Sequence, residues 1–343
     1  MRSGRDSKRC WGKSGRIAAL DEACFRVQPC DFSQPANEPG AKHCLRRKLM
    51  AHQISLASRA RADQTPNSRD GTLTIAADLA YQRLALVNVV FAGLPGAGDR
   101  HWVLIDTGIS GLSGRIEAAA EARFGAGARP AAIILTHGHF DHVGGLKKLA
   151  EKWDAPIFAH PLEVPYLNGS ASYPATDPWL GGGLMPLLAP LFPRTPIDVS
   201  RWLRPLPDDD TVPHLPGWRW IHTPGHSAGH VSLWRLGDRT LIAGDAFITT
   251  NQESAYAVAL QSPEMHGPPT YFTPDWEAAE QSVQMLAALE PELVVTGHGR
   301  AMRGPEMLAA LRELSLRFRQ VAVPHGGRYT KRPFRADDGS AYR

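Results

Sequence analysis

The stretch from Ala131 to Gly145 constrains the fold most, because an apolar strand there leads directly into a dense set of polar side chains. Its sequence is AAIILTHGHFDHVGG. The apolar run Ala131 to Leu135 predicts a short buried strand, and Gly138 and the pair Gly144-Gly145 bracket the polar part. Four potential metal ligands lie within six residues of one another: His137, His139, Asp141 and His142. Such crowding loses solvation unless a cation collects the side chains, and this donor set suits zinc, iron or manganese.

Three more potential ligands each follow a predicted strand and each lie beside a glycine. They are His226, Asp245 and His298. Glycine lets the backbone pass close to a neighbouring group, so the repeated order of strand, glycine and ligand predicts loops that converge at one edge of a sheet. One such histidine alone would be weak evidence, but the set of seven predicts a single metal centre.

The order of these motifs resembles that of the metallo-β-lactamase superfamily. The motifs are THGHFDH at Thr136 to His142, followed by GHSAGH, GDA and GHG, and the similarity extends over roughly Leu73 to Val321. The resemblance implies an α/β (α+β) fold, namely a four-layer αββα sandwich. It also implies two divalent metal ions at one edge of that sandwich, zinc in the first place, with iron or manganese as alternatives.

The resemblance further implies a role for each ligand. Each of two trios binds one ion and one aspartate bridges the ions: His137, His139 and His226; Asp141, His142 and His298; and Asp245. Asp106 follows the apolar strand WVLI and matches an aspartate that supports a ligand imidazole from behind. His222 and His230 fall on no ligand position, and we expect a structural or supporting role for His230.

The implied pair of ions predicts metal-assisted hydrolysis. Two ions about 3.5–4 Å apart can share a water and lower its pKa toward ~7, so that hydroxide attacks a carbonyl. Asp141 would orient that hydroxide. No serine or cysteine nucleophile is needed, which agrees with the position of all four cysteines before residue 45: Cys10, Cys24, Cys30 and Cys44.

Among members of the superfamily, the residues favour thioesterases and lactonases similar to glyoxalase II, acting on an ester, thioester or lactone. The resemblance implies that true β-lactamases lack the bridging aspartate, which is present here as Asp245. The alternative is a mononuclear iron oxidoreductase similar to persulfide dioxygenases. Two further alternatives are a phosphodiesterase or nuclease and a non-catalytic binding protein. Residues 71–343 carry 24 Lys and Arg against 27 Asp and Glu, which disfavours a nucleic-acid partner.

Charge and composition divide the chain into an extension, a domain and a tail. Residues 1–70 hold 14 Lys and Arg against 7 Asp and Glu, together with every cysteine, and we expect a disordered extension. The hydrolase domain is predicted at 71–323, and a polar, basic and loose tail at 324–343. A body without cysteine fits a reducing compartment, so we expect a cytoplasmic protein. No run approaches the ~18 apolar residues of a membrane span.

Within the domain, residues 161–216 predict an irregular insert that is rich in proline. Its centre, Leu180 to Phe192, is mostly apolar. Three interpretations stay open: a satellite cluster on the body, a substrate lid, or an oligomer contact such as that of a homodimer. The candidates for contact with a small-molecule substrate are Phe247, Trp179 and Tyr173.

Regular structure is also predicted at both ends of the domain. Thr72 to Phe91 predicts one or two strands. Pro274-Asp275 opens a helix that extends to Leu289, because the charge of Asp275 is favourable near a helix N-terminus. Pro305 to Val321 predicts a closing helix.

Overall fold

A computed structural model of the chain describes residues 54–56, 65–66, 71–177, 180, 184–260 and 262–342. Most of the predicted extension lies outside the described residues, as does the substrate candidate Trp179. Two short strands of residues 1–70 are described, β1 (Ile54–Ser55) and β2 (Thr65–Pro66). The predicted boundary at residue 71 stays a prediction.

The larger sheet of the described residues has the strand order β2 to β9. Its further strands are β3 (Leu73–Ala76), β4 (Leu79–Leu84), β5 (Val87–Ala92), β6 (Val103–Ile105), β7 (Ala132–Ile134), β8 (Ile157–Ala159) and β9 (Leu203–Pro205). Neighbours from β2 to β6 run antiparallel and those from β6 to β9 parallel. The predicted one or two strands over Thr72 to Phe91 are in fact three, because the chain turns at residues 77–78 between β3 and β4, and again at Ala85, whose φ is 59°, between β4 and β5.

The smaller sheet has the order β10-β11-β12-β14-β15. Its strands are β10 (Trp218–His222), β11 (Val231–Arg235), β12 (Thr240–Gly244), β14 (Leu293–Thr296) and β15 (Met302–Arg303), while β13 (Glu264–Met265) pairs with β1. β12 and β14 are parallel neighbours. Their carboxyl ends, which lead into Asp245 and His298, therefore meet at one edge.

The helices of the described residues are mostly short. They are α1 (Ser113–Phe124), α2 (Phe140–Val143), α3 (Leu146–Trp153), α4 (Val164–Leu167), α5 (Leu184–Leu188), α6 (Ala255–Leu260), α7 (Trp276–Ala288), α8 (Pro305–Leu316), α9 (Phe318–Val321) and α10 (Arg328–Lys331). As predicted, Asp275 begins α7: its side chain accepts hydrogen bonds from two backbone N–H groups of the first turn. The predicted closing helix is interrupted at Arg317. None of these helices combines the length and apolarity needed to cross a bilayer.

Three buried clusters build four layers. Val90 and Ile105 of the larger sheet pack against Leu233 and Val295 of the smaller one, so the sheets face each other. On their outer faces, α1 and α3 cover the larger sheet and α7 and α8 the smaller. Each fully buried aliphatic side chain contributes roughly 1.5–3 kcal/mol of transfer free energy to this packing. The predicted αββα sandwich is confirmed.

The C-terminal segment packs onto the insert, which differs from the loose tail that the composition predicts. The hydroxyl of Tyr166 donates to the carbonyl of Ala341 at 2.6 Å, and that of Tyr342 donates to Leu162 at 3.1 Å. Tyr329 and Ala341 are buried. Aromatic residues scattered through a basic sequence thus fix a segment that charge alone predicts to be mobile.

Candidate metal centre

The structure brings all seven predicted ligand side chains together at one edge of the sandwich. β7 leads into the loop that holds the first two histidines and into α2, which holds the next two ligands. The other three follow β10, β12 and β14. Each of the seven residues is at most 6% exposed: His137, His139, Asp141, His142, His226, Asp245 and His298.

The first trio is formed by three imidazoles from two loops. One nitrogen each of His137, His139 and His226 lies within 4.8 Å of the others. Nδ1 of His139 lies 2.9 Å from Nε2 of His226. The three rings meet edge to face, with centroids 4.6–4.8 Å apart, so their nitrogens can converge on one point.

The second trio combines a carboxylate with two imidazoles. Donor atoms of Asp141, His142 and His298 also lie within 4.8 Å of one another. Oδ2 of Asp141 lies 3.5 Å from Nε2 of His298.

Asp245 lies between the two trios. Its Oδ2 is 3.4 Å from Nε2 of His226 in the first trio. The same atom is 3.0 Å from Nε2 of His298 and 3.6 Å from Nε2 of His142 in the second. One carboxylate oxygen therefore contacts donor atoms of both trios.

Hydrogen bonds behind the imidazoles direct their donor nitrogens into the site. Nδ1 of His142 donates to Oδ2 of Asp106 at 2.8 Å, and Nδ1 of His298 donates to the carbonyl of Leu86 at 2.7 Å. Thr136 gives its only hydroxyl proton to Asp106, so its oxygen accepts from Nδ1 of His137 at 3.1 Å. Each Nε2 therefore keeps its lone pair free for a cation.

Three buried atoms in this space have no hydrogen-bond partner among the described residues: Nε2 of His137, Nε2 of His142 and Oδ1 of Asp245. Buried polar atoms are rarely left unpaired, because an unpaired group loses about 1–3 kcal/mol of solvation. Nitrogen and carboxylate donors grouped in this way fit divalent transition-metal ions.

The two trios differ in charge. Burial lowers the pKa of His139 to about 3 and the pKa values of His137 and His226 well below the usual range. Burial acts in the same direction on His142 and His298, but the Asp245 carboxylate prevails and raises both pKa values. Burial therefore disfavours the charged form of the histidines in the first trio, whereas the neighbouring carboxylate favours it for the histidines in the second.

A sequence profile of the metallo-beta-lactamase superfamily matches residues 84–298. Probable metallo-hydrolase YflN of Bacillus subtilis (strain 168) is 47% identical over 236 residues, which cover 69% of this chain and 89% of YflN. The chain belongs to the metallo-beta-lactamase superfamily.

Two further comparisons agree with this membership. Probable metallo-hydrolase YybB, from the same strain, is 34% identical over 196 residues, covering 57% of this chain and 74% of YybB. A beta-lactamase domain protein from Burkholderia ambifaria has a TM-score of 0.50 at 21% identity, covering 74% of this chain and 78% of that one. The latter supports the fold alone. The superfamily predicted from the motifs is therefore confirmed.

Two glycines let the backbone of the loops come close to side chains of the candidate centre. A Cβ on Gly297 would lie 2.0 Å from Oδ1 of Asp245. Gly244 has a φ of 55°, and a Cβ there would lie 2.6 Å from Nε2 of His230. No side chain fits at either position, which is the close approach that the sequence pattern of glycine beside ligand predicts.

His230 and His222 lie outside the two trios. Nε2 of His230 accepts from the backbone N–H of Asp245 at 2.9 Å, so this histidine supports the loop of Asp245. His222 stacks on His160 with ring centroids 4.2 Å apart. Its Nε2 donates to the carbonyl of Ala228 at 2.9 Å, which is a structural role.

Glu163 is a residue of the candidate centre that the sequence did not reveal. It is 0% exposed, and its Oε2 accepts from the backbone N–H of Gly138 at 2.9 Å and from the hydroxyl of Tyr173. Its Oε1 accepts from Ser227 Oγ and from the N–H of Gly229, both at 2.8 Å. One carboxylate thus ties together the two loops of the first trio. No motif marks Glu163, and its partners are distant in sequence.

The three substrate candidates have different outcomes. Tyr173 packs against His139 with ring centroids 4.2 Å apart, but Gly138 and Glu163 occupy its hydroxyl. Phe247 is fully buried in the cluster under α7 and α8. It faces apolar side chains and lines no open surface, so it is wrong as a substrate contact. Trp179 lies outside the described residues.

Proposed function

We propose that the protein is a dinuclear metal-dependent hydrolase that cleaves an ester, thioester or lactone. One observation carries the proposal: Oδ2 of Asp245 lies 3.0–3.6 Å from imidazole nitrogens of both trios. A carboxylate that lies between two groups of potential metal ligands is suited to bridge two cations.

In this proposal each trio holds one ion and Asp245 contacts both, as the motif order implies. When bound, two divalent ions, zinc in the first place and iron or manganese otherwise, would lower the pKa of a water molecule and polarise a carbonyl oxygen. Asp106 and the carbonyl of Leu86 keep the protons of His142 and His298 on Nδ1, on the side away from the substrate. This fixes the tautomers that metal binding requires.

Asp141 is the proposed catalytic residue. Burial raises the pKa of Asp141, against the opposing influence of His142 and His298. A carboxylate with a raised pKa accepts protons more readily, so Asp141 would orient the attacking water by accepting its hydrogen. Water adds to the carbonyl carbon, the bond to the leaving oxygen or sulfur breaks, and the products are a carboxylic acid and an alcohol or thiol.

The insert supports a small-molecule substrate. Tyr173 contacts His139, and Phe192 contacts Phe140, so the insert reaches the ligand loop from two points. This favours the lid interpretation over a remote satellite cluster. From the cysteine distribution we expect a cytoplasmic protein.

The test is turnover of thioesters, lactones and aryl esters by the full chain, before and after chelation and after reloading with zinc, iron or manganese. We expect hydrolysis that chelation abolishes and a divalent ion restores. A matched variant, Asp238→Ala, removes an exposed aspartate that pairs with Arg235 and should hydrolyse normally. Oxygen uptake with a persulfide by a protein holding one iron, without hydrolysis, would replace the proposal by the dioxygenase alternative.

A further inference from the structure

We infer that three phenylalanines beside the candidate metal centre form a binding surface for an apolar acyl group of the substrate, of medium-chain or aryl type. They are Phe140, Phe192 and Phe272, here called the aromatic platform. This inference rests on the proposed function, because it names the substrate class of the same site.

The aromatic platform is assembled from three separate parts of the chain. Phe140 begins α2, Phe192 ends the 3₁₀ turn Ala189–Leu191 of the insert, and Phe272 ends the 3₁₀ turn Thr270–Phe272. The rings of Phe140 and Phe192 stack at 5.2 Å. The ring of Phe272 lies 6.1 Å from Phe140 and 6.2 Å from Phe192. Ring separations of this size are those of attractive aromatic contacts.

The platform adjoins the proposed ligands directly. Phe140 stands between His139 and Asp141 in the chain, one ligand from each trio. The ring of Phe272 lies 4.9 Å from the ring of His139. An acyl group that lies on the platform would therefore have its carbonyl next to the donor atoms.

The exposure of the platform distinguishes it from the core. Phe91, Phe124 and Phe318 are at most 1% exposed, whereas all three platform rings are only half-buried. Leu188 and Leu191, in the same insert segment as Phe192, are 37% and 78% exposed. Apolar surface left open to water at a reaction centre is stabilised when a ligand covers it.

The chemistry of the platform selects the class of ligand. The rings present only carbon and hydrogen, so they stabilise an aryl or alkyl group by removing its surface from water. A charged or peptide-like acyl group would lose solvation there without gaining a partner. Each methylene that is half covered should raise kcat/KM about twofold, since full burial is equivalent to about fourfold.

Two measurements on the zinc-loaded full chain test the inference. The first is hydrolysis of 4-nitrophenyl esters from acetate to octanoate, for which we expect kcat/KM to rise steadily with chain length. The second is calorimetric binding of octanohydroxamate and acetohydroxamate, which reports on the platform even if no ester is cleaved. We expect the octanoyl compound to bind at least about 10-fold more tightly.

Phe192→Ala and Phe272→Ala are the decisive variants, because neither residue is a proposed ligand. Each should lower the ratio of kcat/KM for octanoate to kcat/KM for acetate about 10-fold while zinc content stays within twofold, and Phe192→Leu should restore most of that ratio. Phe334→Ala removes a half-buried ring that packs on Tyr329 in the C-terminal segment and should leave both series unchanged.

The outcomes separate this inference from the proposed function. Acetate hydrolysis with no dependence on chain length, in wild type and variants alike, would overturn the platform and leave the hydrolase intact. Absence of all ester, thioester and lactone hydrolysis would overturn the hydrolase, and the hydroxamate ratio would still decide on the platform. Equal affinity for the two hydroxamates, or no binding of either, would overturn it.

Discussion

The two trios of the candidate centre are held by different parts of the molecule. The second trio is supported by strands of the sandwich: Asp106 follows β6 and bonds His142, and the carbonyl of Leu86, next to β5, bonds His298. Asn88 of β5 also donates to the carbonyls of Thr296 and Gly299, on either side of His298. This half of the centre is therefore built into the packing of the two sheets.

The first trio depends on the insert. Glu163, at its start, accepts hydrogen bonds from the loop of His139 and from the loop of His226. Tyr173, further along the insert, donates to Glu163 and packs against His139. The fold of the two sheets thus supports the second trio, whereas the insert holds the two loops of the first trio together and lies beside the proposed substrate site.

The largest effect should come from removing the residue common to both halves. Asp245→Ala leaves the two trios without their shared carboxylate, so we expect a loss of at least about 10³-fold in kcat/KM, equivalent to several kcal/mol of transition-state stabilisation. Steady-state kinetics and elemental analysis of the same preparation check this. Normal turnover with both ions retained would show that Asp245 bridges nothing.

A backbone test of the same bridge is Gly297→Ala. Its Cβ would lie 2.0 Å from Oδ1 of Asp245, so the His298 loop must move away from the other ligands. We expect a loss of about 1–3 kcal/mol in unfolding free energy by overpacking, together with weaker binding of the second ion. Gly237→Ala is the matched control, because a Cβ there meets nothing within 4 Å.

A pair of variants should separate the halves. Glu163→Gln should weaken binding of the ion in the first trio by about 10–100-fold, because supporting groups typically contribute that much to metal affinity. Asp106→Asn should weaken the ion in the second trio by a similar factor and the ion in the first trio less, since Asp106 reaches His137 only through Thr136. Cobalt titrations followed by NMR distinguish the halves, since three imidazoles shift for the first ion and two for the second. Glu117→Gln, which loses ion pairs with Lys148 and Lys152 away from the centre, is the control.

Equal weakening of both ions by both variants would contradict the separation of the halves. Tyr173→Phe sharpens the result, because it removes one donor to Glu163 but keeps the ring on His139. We expect that variant to have a smaller effect than Glu163→Gln, in the same direction and on the same ion.

We expect the smallest effect from a buried ion pair outside both trios, which makes the unfolding free energy depend on pH. Nε2 of His266 lies 3.1 Å from Oε2 of Glu253. Burial disfavours the charged form of both groups, but the opposite charge of the partner and the hydrogen bond to it outweigh burial. The pKa of His266 is therefore raised to about 9 and the pKa of Glu253 is lowered to about 2. The pair contributes fully between the unfolded pKa values of the two groups, about pH 4.5 to 6.5.

Stability from this pair is therefore lost as pH rises from about 6.5 to 9, and as pH falls from about 4.5 to 2. On the alkaline side we expect a loss on the order of 2 kcal/mol in unfolding free energy. Chemical denaturation of the chelated protein at pH 6 and pH 9 measures it. His266→Gln should be less stable than the wild type at pH 6 but should lose less unfolding free energy between pH 6 and pH 9. If the variant lost as much as the wild type over this range, the loss would come from other groups.

The parts that could be predicted from the sequence are those coded by neighbouring residues. The strand before Thr136 and the spacing of the first four ligands lie within one short segment, and Asp106 follows a strand in the same way. Glu163 could not be predicted, because Gly138 and Gly229, whose backbone N–H groups it binds, are 25 and 66 residues away in the sequence. Glu163 itself lies in a segment without periodicity. The prediction that Phe247 contacts the substrate was wrong, because residue type does not reveal which face of a loop is buried.

We expect that one centre with two separately supported halves binds two ions. Native mass spectrometry of the chelated and zinc-reloaded full chain tests it most directly, with wild type, Glu163→Gln and Asp106→Asn compared at limiting zinc. We expect two ions per chain in the wild type, and a dominant one-ion species in each variant at zinc concentrations that saturate the wild type. A single ion per wild-type chain at saturating metal would contradict it.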